Sequence, residues 1–135
     1  MTYLVDVNVL SEPTQPAPNA KVVGWLNAHE ADLIVDSIIL GEMCLGVLSL
    51  PSGRKRARLE TWFEAVAQTL QCLPWDAAVC RRWARLVSEL RRKGLAMPVL
   101  DAMIAATALE HGLTIATRNV SDFHKAGVPV VDPFA

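Results

Sequence analysis

Short apolar runs separated by longer stretches of helical periodicity constrain this chain more than any other feature. "YLVDVNVL" (3–10), "DLIVD" (32–36), "LTIAT" (113–117) and "VPVV" (128–131) read as strands, and "CLPW" (72–75) as a short strand or extended connector. Between them lie segments with helix signals. Asn19 can cap a helix through "AKVVGWLNAH", and Ser37 one through "IILGEMCLGVLSL" that ends at Pro51, Ser52 and Gly53. Leu59, Trp62, Phe63, Val66 and Leu70 predict a helix over 54–71. Asp76 caps another that carries Val79, Trp83, Leu86, Val87 and Leu90 and stops at Gly94. "MPVLDAMIAATALEHG" has Pro98 near its start and Gly112 beyond its end, the asymmetry helices favour. "NVSDFHKAG" reads as a turn with one helical turn. Strands that alternate with helices imply a mostly parallel sheet covered on both faces, a three-layer α/β/α domain spanning 1–135.

Within the first run, Asp6 is anomalous. Flanked by Leu4, Val5, Val7 and Val9, it reads as a carboxylate inside a buried strand, where an unpaired charge is strongly disfavoured. It needs solvent at an open strand end, a hydrogen-bonding partner or a cation. In parallel α/β sheets, functional groups collect at the carboxyl ends of strands. Glu42, one and a half turns into the helix after the second strand, Asp101 at the opening of the helix after Pro98, and Asp122 after "LTIAT" all fall near such places. Gathered carboxylates raise one another's pKa unless a cation neutralises them. A hard divalent ion with oxygen ligands suits them, Mg²⁺ first and Mn²⁺ as the alternative, and such an ion serves phosphodiester hydrolysis without a protein nucleophile.

Charge distribution agrees with an anionic polymer as substrate. The segment 54–93 holds ten of the 13 Lys and Arg but four of the 14 acids, a local net charge of +6 against −7 elsewhere. From charge alone, ordinary solvated helix faces are the favoured explanation of such a pattern; a polyanion approaching an acidic, metal-holding centre is the functional reading. Cys44, Cys72 and Cys80 lie in apolar contexts with no metal-ligand spacing and read as structural thiols of a reducing compartment. No apolar stretch reaches the roughly 18 residues that span a bilayer, and the N-terminus lacks signal-peptide order, so a cytoplasmic protein without membrane contact is expected. The four tryptophans read as core or interface anchors. His29, His111 and His124 have no nucleophile or carboxylate at a telling spacing, which argues against metal-free, histidine-driven ribonuclease chemistry.

"LVDVNVLSEP", "SIILGEMCLGV", "VLDAMIAATALEHGLTIATRNVSDF" and "GVPVVDPF" together resemble the PIN-domain ribonucleases, specifically VapC- and FitB-like toxins of bacterial toxin–antitoxin pairs. The resemblance covers essentially the whole chain. It implies a Mg²⁺-dependent endoribonuclease that acts on structured RNA, with Asp6, Glu42 and Asp101 as its acidic cluster and Asp6 and Asp101 on the metal. It also implies a VapB-like antitoxin that silences the site, a homodimer within a larger assembly, and promoter DNA contacted only through the antitoxin. Two departures stand out. Val7 occupies a place where relatives often carry Thr, leaving Asn8 to orient a carboxylate. Asn119 stands where many relatives carry an acid, so Asp122 becomes the candidate fourth acid. Thr117 is expected to hydrogen bond a carboxylate or bound water, and Arg118 to meet phosphate. The same residues admit two rival readings. One is a toxin-like dimer that mainly occupies promoter DNA with its antitoxin. The other is a receiver-like domain with Asp6 as nucleophile, which Asn8 and Arg118 disfavour because a second Asp and a Lys are wanted there.

Overall fold

The computed structural model describes residues 1–135. Five strands form one sheet: β1 (Tyr3–Val5), β2 (Leu33–Asp36), β3 (Gln71–Leu73), β4 (Thr114–Ala116) and β5 (Val130–Val131). Their order is β3-β2-β1-β4-β5, and all four pairings are parallel. Seven α-helices intervene: α1 (Val7–Leu10), α2 (Ala20–Ala28), α3 (Ser37–Leu48), α4 (Arg54–Thr69), α5 (Ala77–Arg92), α6 (Val99–His111) and α7 (Val120–Lys125). Single 3₁₀ turns cover Glu12–Thr14 and Glu30–Asp32. The result is the three-layer α/β/α arrangement that the alternating pattern predicts.

The core lies where the central strands meet the helices. Leu4, Val5, Val35, Ile115 and Ala116 are fully buried, as are Ile39 of α3, Ile104 of α6 and Phe123 of α7. Each aliphatic side chain of this size contributes roughly 1.5–3 kcal/mol on burial. Alanines at 102, 105, 106 and 108 let α6 pack closely, and Gly112 ends it in the left-handed conformation (φ +64°) that glycine adopts without strain. No helix is long and apolar enough to cross a membrane.

Four local expectations are corrected. The first strand stops at Val5, because Asp6 takes up the N-cap position of α1. Its Oδ1 accepts from the Val7 amide at 2.8 Å and its carbonyl from the Val9 and Leu10 amides, both at 3.1 Å. Aspartate's competition for nearby backbone donors thus turns the chain out of the sheet. Ser37 does not cap α3. Asp36 does, accepting from the Ile39 amide at 2.8 Å, while the Ser37 hydroxyl donates to the Leu73 carbonyl and accepts from the Trp75 amide. The helix predicted over 54–71 ends at Thr69, because Leu70 turns extended to enter β3. Cys72 and Cys80 are exposed and only Cys44 is half-buried. Cys72 sits on the edge strand β3, and Cys80 directly follows the buried Val79, so it points away from the core.

Candidate metal centre

Strand order fixes where a site can form. From β1 the chain steps outward through β2 and β3, then returns to the other side of β1 with β4 and β5. The β1/β4 boundary is therefore the topological switch point, where the loops leaving the strands diverge and open a crevice at their carboxyl ends. Tyr3 pairs with Leu33 and Thr114, and Leu4 with Ile34 and Ile115. Continued to the strand ends, these registers bring Asp6 beside Asp36 on one side and Thr117 on the other.

The side chains complete what the registers begin. Thr117, fully buried, donates from Oγ1 to Asp6 Oδ2 at 2.7 Å across the switch point. Asn8 Nδ2 reaches the same oxygen at 3.3 Å, and its Oδ1 accepts from the Arg118 amide at 3.1 Å. The Asn119 amide donates to Thr117 Oγ1 at 3.0 Å. Asn8 and Thr117 thus orient Asp6 from both flanking elements, without the hydroxyl that Val7 lacks. Arg118 is exposed, with its guanidinium carbon 4.4 Å from the centroid of the Phe134 ring. Asn119 stands at the N-cap of α7, but its side chain makes no capping bond.

Glu42 comes from the second turn of α3 and Asp101 from the first turn of α6. The field of the cluster is legible in their acidities. Burial, reinforced by Asp6, Asp101 and Asp36, pushes the Glu42 carboxyl up to about 7. Burial, reinforced by Asp6 and Asp122, pushes Asp101 up to about 6. Asp6 is also raised by burial, against the lowering effect of its three hydrogen bonds. Asp6, Glu42, Asp101 and Asp122 therefore share one electrostatic neighbourhood. Asp122 has a second commitment, an ion pair with Lys125 at 3.3 Å. Lys125 in turn donates to the Ala96 carbonyl at 3.0 Å.

Asp36 is the acid that sequence reasoning missed, taken as an ordinary strand residue. It is 1% exposed, accepts from Thr107 Oγ1 of α6 at 2.6 Å, and is raised by burial, with Asp6 adding to the rise. Its signal was present in "IVDS": Asp and Ser are equally good helix caps, and only Asp36 lies at a strand's end.

The donor set fits a hard divalent cation. Glu42 Oε1 is buried without any hydrogen-bond partner. An orphaned carboxylate oxygen among like charges is disfavoured unless a cation or its water shell meets it. No three His, Cys, Asp or Glu side chains stand so as to ligate one ion together. An ion here would have to be held by one or two carboxylates and by waters, a coordination open to Mg²⁺.

The PIN domain family profile matches residues 3–128. Toxin FitB of Neisseria gonorrhoeae is 37% identical over 135 residues, covering 97% of both chains. VapC ribonuclease Y4jK of Sinorhizobium fredii is 30% identical over 135 residues, covering 97% of this chain and 96% of that one. The solved structure of FitAB bound to the IR36 DNA fragment superposes with a TM-score of 0.93 at 36% identity, covering 99% of this chain and 96% of that one. With a matching profile over nearly its full length, a parallel sheet in the same three layers and acids at its switch point, the chain belongs to the PIN-domain family.

Proposed function

We propose that this chain, as one PIN domain over 1–135, is a Mg²⁺-dependent endoribonuclease, the toxin of a VapBC-like pair, that hydrolyses phosphodiester bonds in structured RNA. Mn²⁺ is the alternative ion. The observation that carries this reading is the orphaned Glu42 carboxylate within a cluster of mutually destabilised acids. Relatives named toxin and ribonuclease support it.

Asp6 and Asp101 are assigned as the metal-binding carboxylates. The chemistry supplied by bound Mg²⁺ is neutralisation of the acids and the phosphodiester, together with a lowered pKa for an attacking water. Glu42, whose Oε1 has no protein partner, would complete the ion's shell or position the attacking water. Asn8 and Thr117 hold Asp6 in orientation, and Asp122 adds negative charge beside Asp101. Arg118, stacked on Phe134, faces outward to meet a flanking phosphate, and Asn119 offers an uncharged donor beside it.

A VapB-like antitoxin is the assigned inhibitor, promoter DNA is reached only through it, and the site works in a cytoplasmic homodimer. Leu45 and Leu48, 65% and 53% exposed on α3, are apolar surface suited to such contacts. The solved relative in which FitAB is bound to DNA favours a second reading, a repressor with little nuclease activity. One experiment separates the two: digestion of total RNA with the isolated protein in Mg²⁺, followed by sequencing of fragment 5′ ends, with Asp101→Asn as control. Defined ends are expected from the parent and none from the variant, with an unchanged circular dichroism spectrum. Equal cleavage by Asp101→Asn sinks the site assignment, and no cleavage by either protein sinks the nuclease reading.

A further inference from the structure

Asp36 has two carboxylate oxygens and a separate use for each. Its Oδ1 accepts from the Ile39 amide at 2.8 Å, which caps α3, and its Oδ2 accepts from Thr107 Oγ1 of α6 at 2.6 Å. A cap needs one oxygen, and serine, threonine or asparagine supplies it without a charge. Asp36 is 1% exposed, where a carboxylate is rare and disfavoured unless its oxygens are occupied. The second oxygen is the feature that capping leaves unexplained. Thr107 shows the matching departure. Thr61 and Thr69 of α4 donate to the Ala57 and Ala65 carbonyls, four residues back in their own helix, as helical threonines commonly do. Thr107, equally buried with Asp36, instead donates out of α6 to that carboxylate.

This bond lies between two helices that present acids to the crevice. Glu42 stands six residues after Asp36 on α3, and Asp101 six residues before Thr107 on α6. At a rise of about 1.5 Å per residue, each acid sits about 9 Å along its helix from the Asp36–Thr107 contact. No other hydrogen bond or ion pair joins α6 to α3 or to the residue that caps it. The surrounding core is apolar, with Ile39 and Met43 from α3 and Ile104 and Ala105 from α6. Apolar burial is non-directional, so it holds two helices together without fixing how far one slides along the other. A short, directional hydrogen bond supplies that register.

We propose that Asp36 is a positioning residue, a strut whose two oxygens set the register of α3 against α6 and so the separation of Glu42 from Asp101 across the cation position. Both oxygens are already taken, so Asp36 touches neither ion nor substrate and acts through the two helices. The inference rests on the metal-dependent ribonuclease reading and adds to it a residue outside the crevice. A shift of about 1 Å in a site's groups can cost it about 10²-fold in function, so a register bond of this kind has consequences beyond stability.

The test reads ion binding rather than cleavage. Full-length chain is titrated with Mn²⁺ well below its unfolding temperature, the free ion being followed by its electron paramagnetic resonance signal. Thr107→Val removes the strut but leaves the carboxylate and the α3 cap, and should weaken Mn²⁺ binding about ten-fold. Thr107→Ala repeats the deletion without a methyl group against the carboxylate and should show the same loss. Thr107→Ser restores the hydroxyl and should return the affinity to within about two-fold of the parent. Val22→Ala, a fully buried change in α2, loosens the core in an element that carries none of the acids, and should leave the affinity unchanged. Parental affinity in both Thr107→Val and Thr107→Ala, or an equal loss in Val22→Ala, overturns the strut. Asp36→Asn keeps an oxygen for the cap and removes the charge; a loss there with none in Thr107→Val would mean that Asp36 acts by its charge, which also overturns the strut. Absence of Mn²⁺ binding by the parent overturns the metal-dependent reading itself.

Discussion

Glu42→Gln removes one charge from the point where the other acids press hardest, while keeping the side chain's size and its polar atoms. In the ion-free protein, burial and then Asp6, Asp101 and Asp36 lift this carboxyl from an ordinary 4.5 to about 7. A raised carboxylate holds its proton more tightly in the folded chain than in the unfolded one. Its contribution to stability is therefore full below about pH 4.5 and is lost as pH rises through about 7. At 1.36 kcal/mol per pKa unit, the ceiling on that loss is roughly 3 kcal/mol. Glu42 is only partly covered, so solvent screening brings the expected value to about 1–2 kcal/mol. For a domain of this length, each kcal/mol corresponds to a shift of about 3–5 °C in melting temperature. The assay is urea and thermal unfolding of parent and variant in chelator at about pH 5 and about pH 8. The variant should gain about 1–2 kcal/mol on the parent between those conditions, and Mg²⁺ at the higher pH should narrow the gap by stabilising the parent. Parent and variant that keep a constant difference across that range in chelator would refute the idea that burial, reinforced by the neighbouring acids, raises this carboxyl.

Two further outcomes test how the crevice is held. Thr107→Val deletes the 2.6 Å hydrogen bond to Asp36 Oδ2 in a fully buried place, and is expected to destabilise the protein by about 1–3 kcal/mol; an unchanged urea midpoint would argue that Asp36 finds another donor. Phe134→Leu keeps an apolar side chain but removes the ring 4.4 Å from Arg118, and should weaken RNA binding by two- to five-fold, from roughly 0.5–1 kcal/mol. In an Arg118→Ala background the same change should have no effect, and independent additive losses would refute the coupling.

Helix positions were largely legible because their signals are short-range. Asn19 caps α2 through the Lys21 and Val22 amides, Asp76 caps α5 through the Val79 amide, and Pro98 and Gly112 bracket α6 as expected. Asp6 was visible because an acid just beyond an apolar run falls at a strand end, and Glu42, Asp101 and Asp122 because they lie in the early turns of helices whose starts the sequence marks. Where two local rules competed, the sequence was ambiguous. "VDVNVL" satisfies strand propensity and an aspartate cap alike, and "VDS" offers two caps in a row.

By itself, then, the sequence determined the alternation of elements, the parallel sheet that follows from it, and the placing of acids near the ends of strands, since each depends on residues within a turn or two of one another. Only the tertiary structure decided that β1 and β4 meet at the switch point, so that Thr117 reaches Asp6 over a separation of 111 residues. Only it put Asp36 level with Asp6 and bonded to Thr107, and left Glu42 Oε1 without a partner. Strand order and register are set by which apolar faces bury together across the whole chain, and no local pattern encodes them.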